Sequence, residues 1–164
     1  METDDSPETR AMTPLHPKQI LLLRIRGLIT AITMILPFLV LDVALRDKHL
    51  LPAGLVPGIV ALAGLIALIL LPQRRYRAWG YREEEDELHI RHGLLVRIRT
   101  VVPFGRVQHI DTTQGPIERR LGLATLVLHT AGTRSAAVSL PGLSEADAEQ
   151  MRDRIRARIR QDLV

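Results

Sequence analysis

The chain predicts an α+β membrane protein in which a two-helix transmembrane hairpin precedes a small antiparallel β domain capped by a C-terminal helix. Two long apolar stretches, Gly27 to Leu41 and Leu50 to Leu71, lie in its first half. Short segments of period two follow from Tyr76 onward, and one segment of helical period ends the chain. The expected division is an acidic tail at 1–17, a hairpin at 18–73 with spans near 27–45 and 50–71, and a domain at 74–164.

The second stretch has no ionisable residue across 22 positions. As a helix it reaches about 33 Å, roughly a hydrocarbon core. The first reaches 19 residues once Val43, Ala44 and Leu45 are added beyond Asp42, or about 28 Å. Asp42 lies one turn from that end. With no second ionisable partner in either span, a headgroup position is the better reading than a buried functional acid. Pro37 is expected to kink the first helix, whereas Pro52 and Pro57 crowd the start of the second, where early backbone donors need no helical partner. Gly54 and Gly58 form a G-x-x-x-G, a spacing that allows close helix approach. Arg46 to His49 alone separate the spans, which forces an antiparallel hairpin.

Lys18, Arg24 and Arg26 precede the first span, Arg74, Arg75, Arg77 and Arg82 follow the second, and only Arg46 and Lys48 lie between. This asymmetry places both termini of a multi-pass cell-membrane protein in the cytoplasm. A cleavable signal peptide is the competing reading of the first span. Glu2, Asp4, Asp5 and Glu8 in its leader, and the lack of a small-residue cleavage site, weigh against it.

The net charge of +4 conceals three regimes. Residues 1–17 carry one Arg against four acids, residues 18–48 five bases against two acids, and residues 74–164 16 Arg against 12 acids. The tail is expected to be disordered. A basic domain tethered at a membrane exit meets anionic lipid before nucleic acid, so the bilayer is the expected partner and nucleic acid is not. Cysteine is absent, which excludes disulfides, thiol nucleophiles and thiolate metal sites.

In the soluble half, Leu88 and Ile90 alternate with His89 and Arg91, then Val96 and Ile98 with Arg97 and Arg99, as half-buried antiparallel strands do. His92-Gly93 between them reads as a tight turn, and Glu83 to Glu87 as a solvated hairpin loop. Val107 to Thr113, Leu123 to Thr130 and Ala136 to Leu140 are further strands, the last two joined around Ala131-Gly132-Thr133. With Tyr76 to Arg82 the expected count is six. Pro141-Gly142 reads as the end of the sheet. Ser144 and Asp147 have capping-box spacing, and Ala148, Met151, Ile155 and Ile159 form one apolar helical face. Acids open this helix and arginines close it, matching its dipole. The face is expected to cover the sheet, with a basic membrane-binding helix as the alternative.

The segment from Val102 to Gly132 resembles the bacterial pleckstrin-homology-like membrane proteins of the YdbS-like kind. The matching residues are Pro103, Arg106, Val107 and Gln108, then Gln114-Gly115-Pro116, Arg119 to Leu123, and Thr130-Ala131-Gly132. The resemblance runs from about Pro17 to the C-terminal helix. It implies a seven-stranded curved sheet capped by the helix, no established catalytic activity, and a membrane-associated module that often works beside a larger relative with repeated domains of this type.

No constellation carries catalysis. His89-x-x-His92 would face opposite sides of a strand, with no third His or Cys to complete a metal site. Ser135, Ser139, Ser144, His129 and Asp111 share the domain but no nucleophile-elbow sequence. Phosphate-cradling glycine motifs are missing, and no cofactor or metal is expected. Arg106, Gln108, Gln114, Gly115, Arg119 and Arg120 frame the loop from Gln114 to Gly122. They are the candidates for anchoring it or contacting a partner. Gly115 and Gly122 are expected to supply turn dihedrals, with one helical turn at Pro116 to Leu121. Arg152, Arg156 and Arg160 are the candidate lipid-facing residues. A module for protein interaction or complex assembly at the cytoplasmic face is therefore the leading function, and an anionic-lipid sensor the alternative. Transport ranks last because nothing polar lines the spans.

Overall fold

The computed structural model describes residues 12–45, 52, 54–131 and 137–161. It divides into two compact units, Ile20–Arg75, and Met1–Gln19 with Tyr76–Val164.

The first unit is the hairpin of α1 (Lys18–Leu45) and α2 (Leu55–Ala78). Both helices are long and apolar enough to cross a membrane. They continue through Pro37 and Pro72 respectively. The Asp42 carboxylate accepts the Gly54 backbone N–H at 3.0 and 3.1 Å. It thereby supplies an anionic acceptor at the start of α2, where backbone donors lack helical partners. Thr30 and Thr33 donate their hydroxyls to the carbonyls of Arg26 and Ile29, each at 2.9 Å, which satisfies their polarity within the helix. The close packing falls on other glycines than the expected pair. A Cβ on Gly27 would lie 3.2 Å from the Leu68 side chain and one on Gly64 3.6 Å from the Ala31 Cβ, whereas one on Gly54 or Gly58 meets nothing within 4 Å.

The second unit holds two three-stranded antiparallel sheets, β1-β2-β3 and β4-β5-β6. Sheet one consists of β1 (Gly80–Glu83), β2 (Glu87–His92) and β3 (Ile98–Pro103). Tyr76 to Ala78, expected to open the first strand, instead complete α2. Arg74, Arg75, Arg77 and Ala78 are good helix formers, and no turn signal comes before Trp79-Gly80. The expected turn at His92-Gly93 is also corrected. β2 pairs with β3 only from His92↔Ile98, so residues 93–97 form a loop and Val96 is not in a strand. Gly93 has φ 107°, and a Cβ there would collide with the Val96 carbonyl.

Sheet two consists of β4 (Val107–Thr113), β5 (Leu123–Thr130) and β6 (Ala137–Ser144). A 3₁₀ turn at Phe104–Arg106 joins it to β3. Pro141-Gly142 does not end this sheet, because pairing continues through Ala124↔Leu143 to Leu123↔Ser144. The register shifts between Ala124 and Leu126. Pro141, which has no N–H, and Gly142 at φ 72° occupy that irregularity. Of the expected β5–β6 turn at Ala131-Gly132-Thr133, Gly132 and Thr133 lie outside the described residues.

α4 (Glu145–Gln161) follows directly. Ser144 Oγ accepts the Asp147 N–H at 3.0 Å, so the hydroxyl caps the helix start. Ala148, Met151 and Ile155 are buried with Leu88, Ile90, Val102, Phe104, Leu126, Leu128 and Leu140, and Ile159 packs at the margin. The helix is therefore the sheet cover. Residues 12–17, expected to be tail, belong to this unit as well. Thr13 and Tyr81 exchange backbone hydrogen bonds at 2.7 and 3.0 Å, and the His16 N–H donates to the Gly142 carbonyl at 2.8 Å. Leu15 is 2% exposed, within the core. Residues 1–11 lie outside the described residues.

Candidate interaction surfaces

The loop singled out in the sequence is built around α3 (Pro116–Leu121). Gln114 Nε2 donates to the Leu123 carbonyl at 3.0 Å, joining the loop's entrance to its exit. The buried Glu118 carboxylate accepts the Gly115 N–H at 2.6 Å, satisfying an early helix donor with a charged acceptor. At the exit, Gly122 adopts φ 66° and its N–H donates to the Arg119 carbonyl at 3.2 Å. Gly115 sits at φ −73°, so only Gly122 needs glycine's dihedral freedom. Lys18 Nζ donates to the Leu121 carbonyl at 3.2 Å. Glu118 was not among the expected residues; the signal for it was Pro at the first helical position with an acid two residues later.

Arg119 and Arg120 lie exposed on α3, and the half-buried Gln114 and Gly115 immediately precede that helix. Arg106 and Gln108 are exposed at the other end of β4, where the Arg106 carbonyl accepts the Ala131 N–H at 3.1 Å. The length of β4 separates the two groups, about 20 Å at the usual strand rise. The structure therefore gathers four of these six residues and sets two apart.

On α4, Arg154 forks onto the Glu83 carboxylate at 3.0 and 2.8 Å, and Arg158 donates to the Glu85 carbonyl. These arginines tie the helix to the β1–β2 hairpin. The hydrogen bond to Glu83 raises the Arg154 guanidinium above its ordinary pKa. Burial raises the nearby Tyr81 phenol, with smaller effects of Asp147 and Glu83 in the same direction. Arg152, Arg156 and Arg160 recur every four residues along another stripe, where Arg152 pairs with Asp153 at 3.0 Å.

Two polar clusters lie elsewhere. His89 Nε2 stands 2.5 Å from a Glu87 oxygen and 3.6 Å from a Glu84 oxygen. These ligand atoms could approach one cation, but Arg82 already contacts Glu84 at 2.7 Å and neutralises it. Asp111 lies between His109 and His129, at 2.7 and 3.1 Å, on an exposed part of β4 and β5. Ser144 is occupied as the α4 cap, and Ser139 faces Val127 across the β5–β6 ladder. Ser135 lies outside the described residues.

Two apolar features stand out. The hairpin unit contains a groove of about 530 Å³ between α1 and α2, lined by small residues such as Ala63 and Ala67 and by larger ones such as Met34, Val60 and Leu71, with Arg26 and Arg75 also in its wall. In the soluble unit, the β2–β3 loop exposes Leu94 by 43%, Leu95 by 95% and Val96 by 71%. At its base His92 stacks on Trp79, with ring centroids 4.8 Å apart, and Trp79 packs against the core.

The model of the family described as Bacterial PH domain matches residues 20–159. UPF0699 transmembrane protein YdbS of Bacillus subtilis is 35% identical over 103 residues, 63% of this chain and 63% of its own length. UPF0699 transmembrane protein YdbT of the same organism is 27% identical over 143 residues, which cover 86% of this chain and 28% of YdbT. The chain thus spans less than two thirds of either relative. No solved structure matches it.

Proposed function

We propose that this chain, which belongs to the bacterial PH domain family, is a non-enzymatic membrane-anchored module that assembles with another membrane protein at the cytoplasmic face. The groove between α1 and α2 carries this reading. Helix association in lipid depends on close packing and small residues rather than on a hydrophobic drive. A groove whose wall includes Ala63 and Ala67 beside the α1–α2 contacts of Gly27 and Gly64 suits a third helix. Residues 12–19 and 76–161 belong to one folded unit, so the hairpin leaves that unit and returns to it, which supports both hairpin ends lying on one side of the membrane. The basic flanks favour the cytoplasmic side.

The partner that fits best is a larger membrane protein with repeated domains of this type, a kind of which YdbT, more than three times longer than the matched segment, is a candidate example. Lipid sensing through Arg152, Arg156 and Arg160 is the weaker reading, because Arg152 already pairs with Asp153. The test is co-purification of the full chain with its membrane partner from mild detergent. Filling the groove with Ala63→Leu and Ala67→Leu together should abolish co-purification while insertion stays intact. Neutralising Arg119 and Arg120 should weaken it if the α3 loop is a second contact. Undiminished co-purification by the filled-groove variant would refute the reading.

A further inference from the structure

The β2–β3 loop contributes nothing to the fold's interior. Leu94, Leu95 and Val96 lie outside the buried core, and Leu95 is almost wholly exposed at 95%. Three consecutive apolar side chains at a hairpin tip are unfavourable in water and are found where another phase or protein receives them. The residues beside the tip identify the receiver. Arg91 and Arg99 are directly opposed in the β2–β3 ladder, so they share one face of the sheet, and Arg97 adjoins the tip. Like charges across a strand pair are stabilised by an anionic surface. At the base, His92 stacks on Trp79, which packs against the core and so fixes the root of the tip. Gly80 pairs with Arg91, so the loop lies at the end of the sheet where β1 begins.

We propose that the β2–β3 tip is a bilayer-insertion site: Leu94, Leu95 and Val96 enter the interface of an anionic membrane while Arg91, Arg97 and Arg99 contact lipid phosphates. A protein receiver would offer acids to these arginines and remain in detergent, whereas a lipid receiver is supplied by the membrane to which the chain is already anchored. The insertion fixes the orientation of the domain on the bilayer and is independent of the helix groove.

The chain has no native cysteine, so Leu95→Cys and, at the opposite end of the sheet, Glu85→Cys can each carry a single environment-sensitive fluorophore. The full chain is placed in nanodiscs of phosphatidylcholine alone or mixed equally with phosphatidylglycerol, with and without spin-labelled lipid. The expected result is blue-shifted emission and lipid quenching at Leu95 in the anionic nanodiscs, reduced by joint Arg97→Gln and Arg99→Gln, with neither effect at Glu85. A Leu94→Ser, Leu95→Ser variant probed at Val96→Cys should lose the quenching and keep its thermal transition, since both leucines lie outside the core. No lipid quenching at Leu95, or equal quenching at Glu85, would overturn the proposal. Full quenching in phosphatidylcholine alone would overturn the role of the arginines. A blue shift that persists in detergent and grows with protein concentration would assign the tip to a second copy of the chain instead.

Discussion

Glu118 organises the α3 turn from within: its carboxylate is buried and accepts the Gly115 N–H at 2.6 Å. Glu118→Ala should destabilise the domain by about 1.5–3 kcal/mol, the range for losing a charge-assisted bond and orphaning its donor. Chemical denaturation of the full chain in micelles measures this. Gly142 is constrained differently. Its φ of 72° is costly for other residues, and a Cβ would lie 2.8 Å from the Gln19 side chain. Gly142→Ala should therefore cost about 1–3 kcal/mol and loosen the attachment of residues 12–19. Tyr81 provides a pH signature. Its phenol is raised mainly by burial, so the folded state favours the protonated form. That stability is complete below the unfolded value of about 10 and lost as pH rises through the higher folded value. Tyr81→Phe should flatten the alkaline limb of the stability profile; an unchanged limb would contradict this origin. Among these residues Gly142 read as the end of the sheet rather than as an irregularity within it, and Glu118 read as one of many acids because burial is set by tertiary packing.

At the scale of elements, α4 is held by its apolar face and by two arginines reaching the β1–β2 hairpin. Ile155→Asp puts a charge where a fully buried side chain now sits and should cost at least about 3 kcal/mol. Arg156→Ala, on the exposed side, should stay within about 0.5 kcal/mol. Equal protease sensitivity of the two variants would contradict the assigned face. This helix was legible because its cap, period and charge gradient agree. The β2–β3 loop was not, because Leu94 to Ile98 carries apolar residues at spacings a strand would also show. Only the positive φ of Gly93 and the register from His92↔Ile98 reveal it. The extension of β6 through Pro141-Gly142 was hidden for a related reason: a bulge tolerates residues that ordinarily terminate strands.

For the whole molecule, the spans were legible from length and apolarity alone, but the contribution of residues 12–17 was not. Leu15 is a lone core residue between prolines, without the repetition that marks a buried face. A chain beginning at residue 74 would lack it, and burial of that one side chain contributes about 1.5–3 kcal/mol. Such a fragment should melt below one in which residues 12–19 are joined to residue 76 through a flexible linker. The separation of Arg106 and Gln108 from Arg119 and Arg120 was likewise invisible, since a motif's proximity in sequence does not show that a strand lies between its parts. Assembly through the hairpin groove is tested most directly by photocrosslinking the full chain in intact membranes. A photoreactive residue replaces Ala67 in the groove or Leu62, which is 59% exposed on α2. A discrete protein adduct from Ala67, absent from Leu62 and lost when Ala63→Leu fills the groove, is the predicted result. Lipid adducts alone from both positions would contradict the assembly role.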